Sequence, residues 1–460
     1  MIPAITASSI YSTLGNSNSL VPMAIKDIAN SVGLTAGSYI TGDKLEGKDR
    51  FLDEFGTQAI WLFGIPAYKK LLDLTLYKAL KIDPTFDVRN LAKKRSKILE
   101  KSIEYADSSI KESLKNATKN PKFSKNLAMG KFVVSTALTI LSYAGLTKYR
   151  HNQTKKAAQK EIMEEMKLMN KDNQDKFFYT NPSEKKAFAD LHKSQKSQQS
   201  KQPAFTGSIQ EFMYNPVKNL MILDGAITAE RLGESRNKQE FIGYTIKEGS
   251  FWAFMYFASK PIQKFLENRV EKNKPASIDL DARVIESKEL AKAFKNGTLT
   301  NSADKILGLK TYENMLEFIH NNPDDFVVQM AKKSDILPTL KHATQADDVD
   351  YRKFIDLDEF QGVAEKLKKL AGKFEEFKNI NGRIIEKIDG KEVDNTLEVF
   401  LKSVKKLKRI SVLANIGACI GALGVLAPAL MIAMRKFDKN QGFQVKEDLK
   451  KEMLAKAEQK

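Results

Sequence analysis

Cysteine is almost absent from this chain. Cys419 is the only one in 460 residues, so no disulfide can form within it and no cysteine-based metal site exists. Histidine is nearly as scarce: His151, His192, His320 and His342 are scattered, without the HExxH or other spacing that holds a metal. The chain has no Walker loop, no GxGxxG after a strand and no GxSxG elbow. No cofactor, no metal and no enzymatic activity are expected. The start, Met1-Ile-Pro-Ala-Ile-Thr6, lacks the charged segment and apolar run of a secretory signal, so no cleavable signal peptide is expected. Sustained period-two alternation is missing as well, which leaves few or no strands and an all-α fold.

Asp348, Asp350, Asp356 and Glu359 stand at positions one, three, nine and twelve of a calcium-loop pattern. Lys353 occupies position six, where the turn needs glycine, so they read as a solvated acidic surface.

What the chain has in excess is positive charge, with 75 Lys and Arg against 57 Asp and Glu, formally +18. That balance asks for an anionic partner, either nucleic acid or the anionic face of a bilayer. The apolar segments favour the bilayer. Ile410 to Met434 carries no charge over 25 residues and is flanked by Lys408, Arg409, Arg435 and Lys436. A helix needs about 20 apolar residues to cross the hydrocarbon. Gly417 and Gly421, one helical turn apart within it, are candidates for close helix packing. Phe132 to Thr147 is a shorter run of 16 residues, open between a span and a core helix. Phe55–Tyr68 and Gly249–Ser259 are shorter still and carry the two tryptophans, Trp61 and Trp252. With Pro66 and Pro261 after them, these read as kinked helices anchored at the membrane interface. Basic residues flank both ends of both longer runs, so orientation stays open. The expected location is a membrane, and Lys- and Asn-rich usage suggests the plasma membrane of a bacterium.

Compared with itself, the chain shows two copies of one plan. Lys48-Asp-Arg-Phe-Leu-Asp-Glu-Phe-Gly leads into Trp61 and Pro66; Lys238-Gln-Glu-Phe-Ile-Gly leads into Trp252 and Pro261. Upstream, Asp27 in an apolar stretch matches Asp224. Downstream, Asp87-Val-Arg89 matches Asp281-Ala-Arg283, and each half closes on an apolar segment followed by basic residues. The expected organisation is a first helical half over 1–192, a polar linker over 193–203 and a second helical core over 204–285. An acidic helical insert over 286–400 follows, then the span at 410–434 and a basic tail within 401–460. The insert holds 18 basic and 22 acidic residues, net −4, which leaves +22 on the rest and favours lipid over nucleic acid.

Lys26 beside Asp27, and Glu230 with Arg231 after Asp224, place both aspartates on polar faces of surface helices. Arg89 and Arg283, each two residues after an aspartate, read as helix-start or ion-pair residues. The function expected from all this is a bilayer-anchored helical scaffold or interaction protein that meets anionic lipid and offers its insert to a protein partner. A transporter or channel-like protein with two duplicated halves is the alternative. Nothing identifies a small-molecule ligand.

Overall fold

A computed structural model describes residues 7–15, 20–41, 44–92, 95–172, 209–340, 348–388, 391–437 and 443–457. The polar linker over 193–203 lies outside the described residues. In chain order the helices are α1 (Ala7–Leu14), α2 (Val21–Thr41), α3 (Lys44–Leu72), α4 (Ser96–Tyr105), α5 (Ser108–Lys119), α6 (Pro121–Asp172), α7 (Ile209–Tyr214), α8 (Pro216–Gly233), α9 (Lys238–Phe251), α10 (Ser259–Asn273), α11 (Ala282–Ile285), α12 (Lys288–Lys295), α13 (Thr298–Leu307), α14 (Tyr312–Asn321), α15 (Phe326–Lys333), α16 (Leu357–Asn381), α17 (Thr396–Gly421), α18 (Ala427–Phe437) and α19 (Gln444–Ala457). Wider π turns occupy Asp73–Tyr77, Trp252–Phe257 and Ala422–Leu426.

The described residues are 82% helix and 2% strand, so the cores are built from helix faces, as an all-α fold requires. The strand among the described residues is one antiparallel hairpin, Ile385–Ile388 with Lys391–Asp394. Local competition sets some helix limits. Between Ser96 and Lys119 the chain forms two helices: Asp107 accepts the Ser109 backbone N–H at 2.8 Å, capping α5 and ending α4 just before it. Conversely, the apolar run at 132–147 and the charged stretch that follows it form one 52-residue helix, α6.

Two compact units emerge, each drawing on both halves of the sequence. The first comprises Met1–Met23, Lys69–Phe132 and Phe257–Ala418. Here α16 buries Phe360, Val363, Ala364, Leu367 and Leu370 along one stripe and packs on α13 through Leu299, Ala303 and Ile306. Each large side chain buried this way stabilises by roughly 1.5–3 kcal/mol. Phe294, Phe374 and Phe400 add an aromatic cluster with centroids 5.1 to 6.3 Å apart. The segment after Arg89 packs on the acidic insert: Tyr105 stacks on His320 at 4.2 Å and Lys101 pairs with Glu317 at 3.1 Å.

Arg89 and Arg283 sit in this unit, in the same local device. The preceding aspartate accepts the arginine's own backbone N–H, at 2.9 and 2.8 Å, and the guanidinium folds back onto the same carboxylate. Asp350 and Arg352 repeat it, and Arg352 also reaches Asp83 at 2.9 Å. Replacing Asp281 with alanine removes cap and ion pair together. A loss of about 1–2 kcal/mol is expected, and an unshifted thermal midpoint would show that the ring holds nothing.

The second unit comprises Ala24–Tyr68, Val133–Tyr256 and Cys419–Lys460. Within it α3 lies along α6, with Gly64 against Thr139, Gly56 against Leu146, and the Tyr68 hydroxyl 2.7 Å from Ser142. A close backbone approach joins Gly33 of α2 to Gly424 in the third π turn: a Cβ at Gly33 would stand 2.2 Å from the Gly424 carbonyl oxygen. Near the C-terminus, Phe443 and Leu449 close on Leu45, Ala158 and Ile162, and Lys446 bridges Glu161 and Glu165 at 2.9 Å each.

Candidate functional site: a charged helical interior

In the second unit the helices turn polar stripes inward. Asp49, Asp53, Glu54, Thr57, Gln58 and Trp61 are all buried on α3, and Tyr244, Lys247 and Glu248 on α9. These spacings of three and four residues are those of one helix face. Burying charge this way is costly unless every charge finds a partner.

Most do. Arg231 on α8, only 5% exposed, holds Glu248 at 2.6 Å, Thr57 at 3.0 Å and Asp53 at 3.3 Å. Arg150 on α6 donates to the Tyr244 hydroxyl at 2.7 Å and pairs with Asp53 at 3.2 Å. Arg236, just before α9, forks across Asp49 at 2.6 Å and Glu240 at 2.8 Å. Lys247 meets Glu54 at 2.7 Å. Asn237 caps α9 by accepting the Glu240 N–H at 2.9 Å, which fixes where this stripe begins.

The carboxyls fall into two groups. Burial pushes the Asp53 carboxyl up, but Arg150, Arg231 and Lys247 outweigh it and hold it well below its ordinary range. Burial likewise opposes Arg236 and Arg150 at Glu240, and the arginines win, bringing it down to about 2. Asp27 and Asp224 go the other way. Burial, only partly offset by Lys247, raises Asp27 to about 7. Burial also raises Asp224 to about 8, against hydrogen bonding from Tyr256 and Trp61. Two carboxyls kept ionised and two pushed toward the neutral form mark an arrangement able to handle protons.

Asp27 and Asp224 line one small cavity of about 20 Å³, with Glu54, Gln58 and Trp61. They do not lie on solvated helix faces. Asp224 is 5% exposed and accepts a hydrogen bond from Tyr256, which the second π turn presents. A larger cavity, about 120 Å³, is lined by the charged Asp49, Arg50, Arg236 and Glu240 and by the apolar Pro428, Met431 and Ile432.

Trp61 is inside the unit, 2% exposed, its indole N–H beside the Asp224 carboxyl but short of good hydrogen-bond geometry. Trp252 is half-buried and donates to Thr228 at 3.0 Å. Pro66 is exposed within α3, which continues past it; Pro261 is exposed in the first turn of α10, where no backbone N–H is needed. A Cβ at Gly417 or Gly421 would meet nothing within 4 Å, so the close approach belongs to Gly424 instead.

Sequence reasoning missed Asp49, Asp53, Glu54, Arg150, Arg231, Arg236, Glu240, Lys247 and Glu248. Their helical periodicity was the available signal, since polar residues at 49, 53, 54, 57 and 58 share a face that apolar residues usually occupy. No family model matches the chain, and no curated protein or solved structure is similar to it.

Proposed function

We propose that the chain is a bilayer-anchored helical protein that works by binding rather than by chemistry on a substrate. One observation carries this reading. Two helices, Pro121–Lys167 and Thr396–Met434, are long and apolar enough to cross a membrane, and only 28% of each one's most apolar stretch is buried. A core helix of a soluble protein would hide that stretch. Here Leu141 is 66% exposed and Val425 67%, with Val133, Val134, Leu426 and Leu430 exposed beside them. Lipid is the solvent that suits such faces. The +22 outside the acidic insert supports an anionic membrane surface, and the net −4 insert suits a soluble protein partner. Lys408 and Arg409 take little part in lipid binding: Lys408 is buried and donates to the Ile278 carbonyl, and Arg409 forks onto Glu286 at 2.6 and 2.8 Å.

The intact chain should stay with membranes through alkaline carbonate washing, and truncation before Lys402 should weaken its retention. Recovery of the intact chain in the soluble fraction without detergent would end this reading.

A second reading, a transporter with two duplicated halves, is favoured by the matched aspartates that share one interior cavity. Cysteine-accessibility scanning in a Cys419→Ser chain separates the two. Six or more crossings would favour transport, and one to four an anchor.

A further inference from the structure

We propose that the cavity between Asp27 and Asp224 is a proton-binding site, in which these two carboxyls take up and release protons while the surrounding ion pairs remain ionised. This goes beyond membrane anchoring and does not depend on the number of spans.

The charges that face the cavity come from four elements. Asp27 stands on α2, Glu54 on α3, Asp224 and Arg231 on α8, and Lys247 and Glu248 on α9. Four carboxyls thus meet two cations. Lys247 is taken by Glu54 at 2.7 Å, and Arg231 by Glu248 at 2.6 Å, with Asp53 sharing Arg231 from behind. Asp27 and Asp224 are left without a salt bridge among the described residues, and Asp224 lies in the field of Asp27. Burial and the neighbouring like charge both raise the affinity of such a pair for protons. Each uptake forms one O–H bond at a carboxyl oxygen, with a proton drawn from water, and removes one negative charge. Tyr256 donates to Asp224 from the π turn and steadies its ionised form. That keeps the site titratable instead of permanently neutral.

Independent groups point to the same cavity. The Gln58 side-chain nitrogen, on a residue only 6% exposed, has no hydrogen-bond partner, and the Trp61 indole N–H stands beside the Asp224 carboxyl. Both residues line the cavity, which has room for about one water molecule, the ordinary carrier of a proton. A metal ion fits poorly. No group of three or more metal-ligating side chains exists among the described residues, and Lys247 and Arg231 place positive charge at the wall.

The test is infrared titration of the purified full chain from about pH 5 to about pH 9, a window around the values near 7 and 8. Taken as the difference between the native chain and the double variant, the protonated-carboxyl stretch should carry two equivalents per chain at the acid end and lose both by the alkaline end. Asp27→Asn and Asp224→Asn should each remove one, and the double variant both. Glu165→Gln, at a surface ion pair with Lys446, should change nothing. An unchanged band in the double variant overturns the proposal. The chain has two tryptophans, so Trp252→Phe leaves Trp61 as sole reporter beside Asp224 with both carboxyls intact. Its emission should follow the infrared midpoint. Emission flat across the whole range overturns the proposal even if the asparagine variants fail to fold.

Discussion

Arg231→Leu is expected to lower the stability of the folded chain by about 3–5 kcal/mol, the range for breaking a buried ion pair from one side. The size follows from what is left behind. Glu248 loses its 2.6 Å partner and keeps Lys247 at 3.8 Å and the Thr228 hydroxyl, while Asp53 falls back on Arg150 at 3.2 Å, Arg50 at 3.7 Å and the Tyr244 hydroxyl. Burial gives these carboxylates no water to fall back on. Arg231→Lys should recover only part of the loss, because one ammonium cannot reach Glu248, Thr57 and Asp53 as the guanidinium fork does. Glu248→Gln placed in the Arg231→Leu chain should restore some stability by removing the orphaned charge, a coupling of about 0.5–3 kcal/mol. Denaturant unfolding in a single detergent measures all four chains. If the leucine variant lost less than about 1 kcal/mol, the range for an exposed ion pair, the buried network could not be stabilising this unit as described.

Gly33→Ala should cost about 3 kcal/mol, at the upper end for overpacking. The added methyl would sit 2.2 Å from the Gly424 carbonyl oxygen and 2.8 Å from its carbon. Both atoms are backbone, held inside the Ala422–Leu426 π turn, so no side chain can swing away. Gly424 is as confined in return, since its own Cβ would stand 3.0 Å from the Ala29 carbonyl oxygen. Gly37→Ala on the same helix is the control. Its nearest neighbours, Ile432 and Pro428, lie at 3.6 and 3.7 Å, an ordinary contact. That variant should be neutral or gain up to about 1 kcal/mol from better helix propensity. Gly417→Ala, with nothing nearby, should behave like it. Equal thermal midpoints for the alanine variants at 33 and 37 would refute the close approach of α2 to the π turn.

Glycine shows how far the sequence could be read. Gly417 and Gly421 carry the spacing of a helix-packing motif, and that spacing is visible in any linear reading. Whether a partner backbone comes near them is not. The approach occurs at Gly424, inside a π turn whose widened hydrogen bonding leaves no local signal in Ala-Leu-Gly-Val-Leu. The strands Ile385–Ile388 and Lys391–Asp394 were equally hidden, since four residues are too few to declare a strand by alternation.

The aspartates teach the opposite lesson. Order and spacing alone pair Asp27 with Asp224, and the fold brings both to one cavity. Their neighbours in the chain, Lys26, Glu230 and Arg231, suggested solvated faces. Lys26 and Arg231 are themselves buried, and Arg231 is the centre of the ion network.

By itself the sequence determined the helical class, the apolar run at 410–434 with the length of a span, the Asp-x-Arg helix starts and the absence of cysteine chemistry. All of these depend on residues within a few turns of one another, where spacing and length decide the outcome. Only the tertiary structure decided that the polar stripes of α3 and α9 face inward. A helix with one polar and one apolar face has two ways to pack, and water or lipid can take either face. The choice fell to charges brought from far along the chain, Arg150 and Arg231 meeting Asp53. A buried charge is tolerable only when its partner arrives, and no local pattern records that arrival.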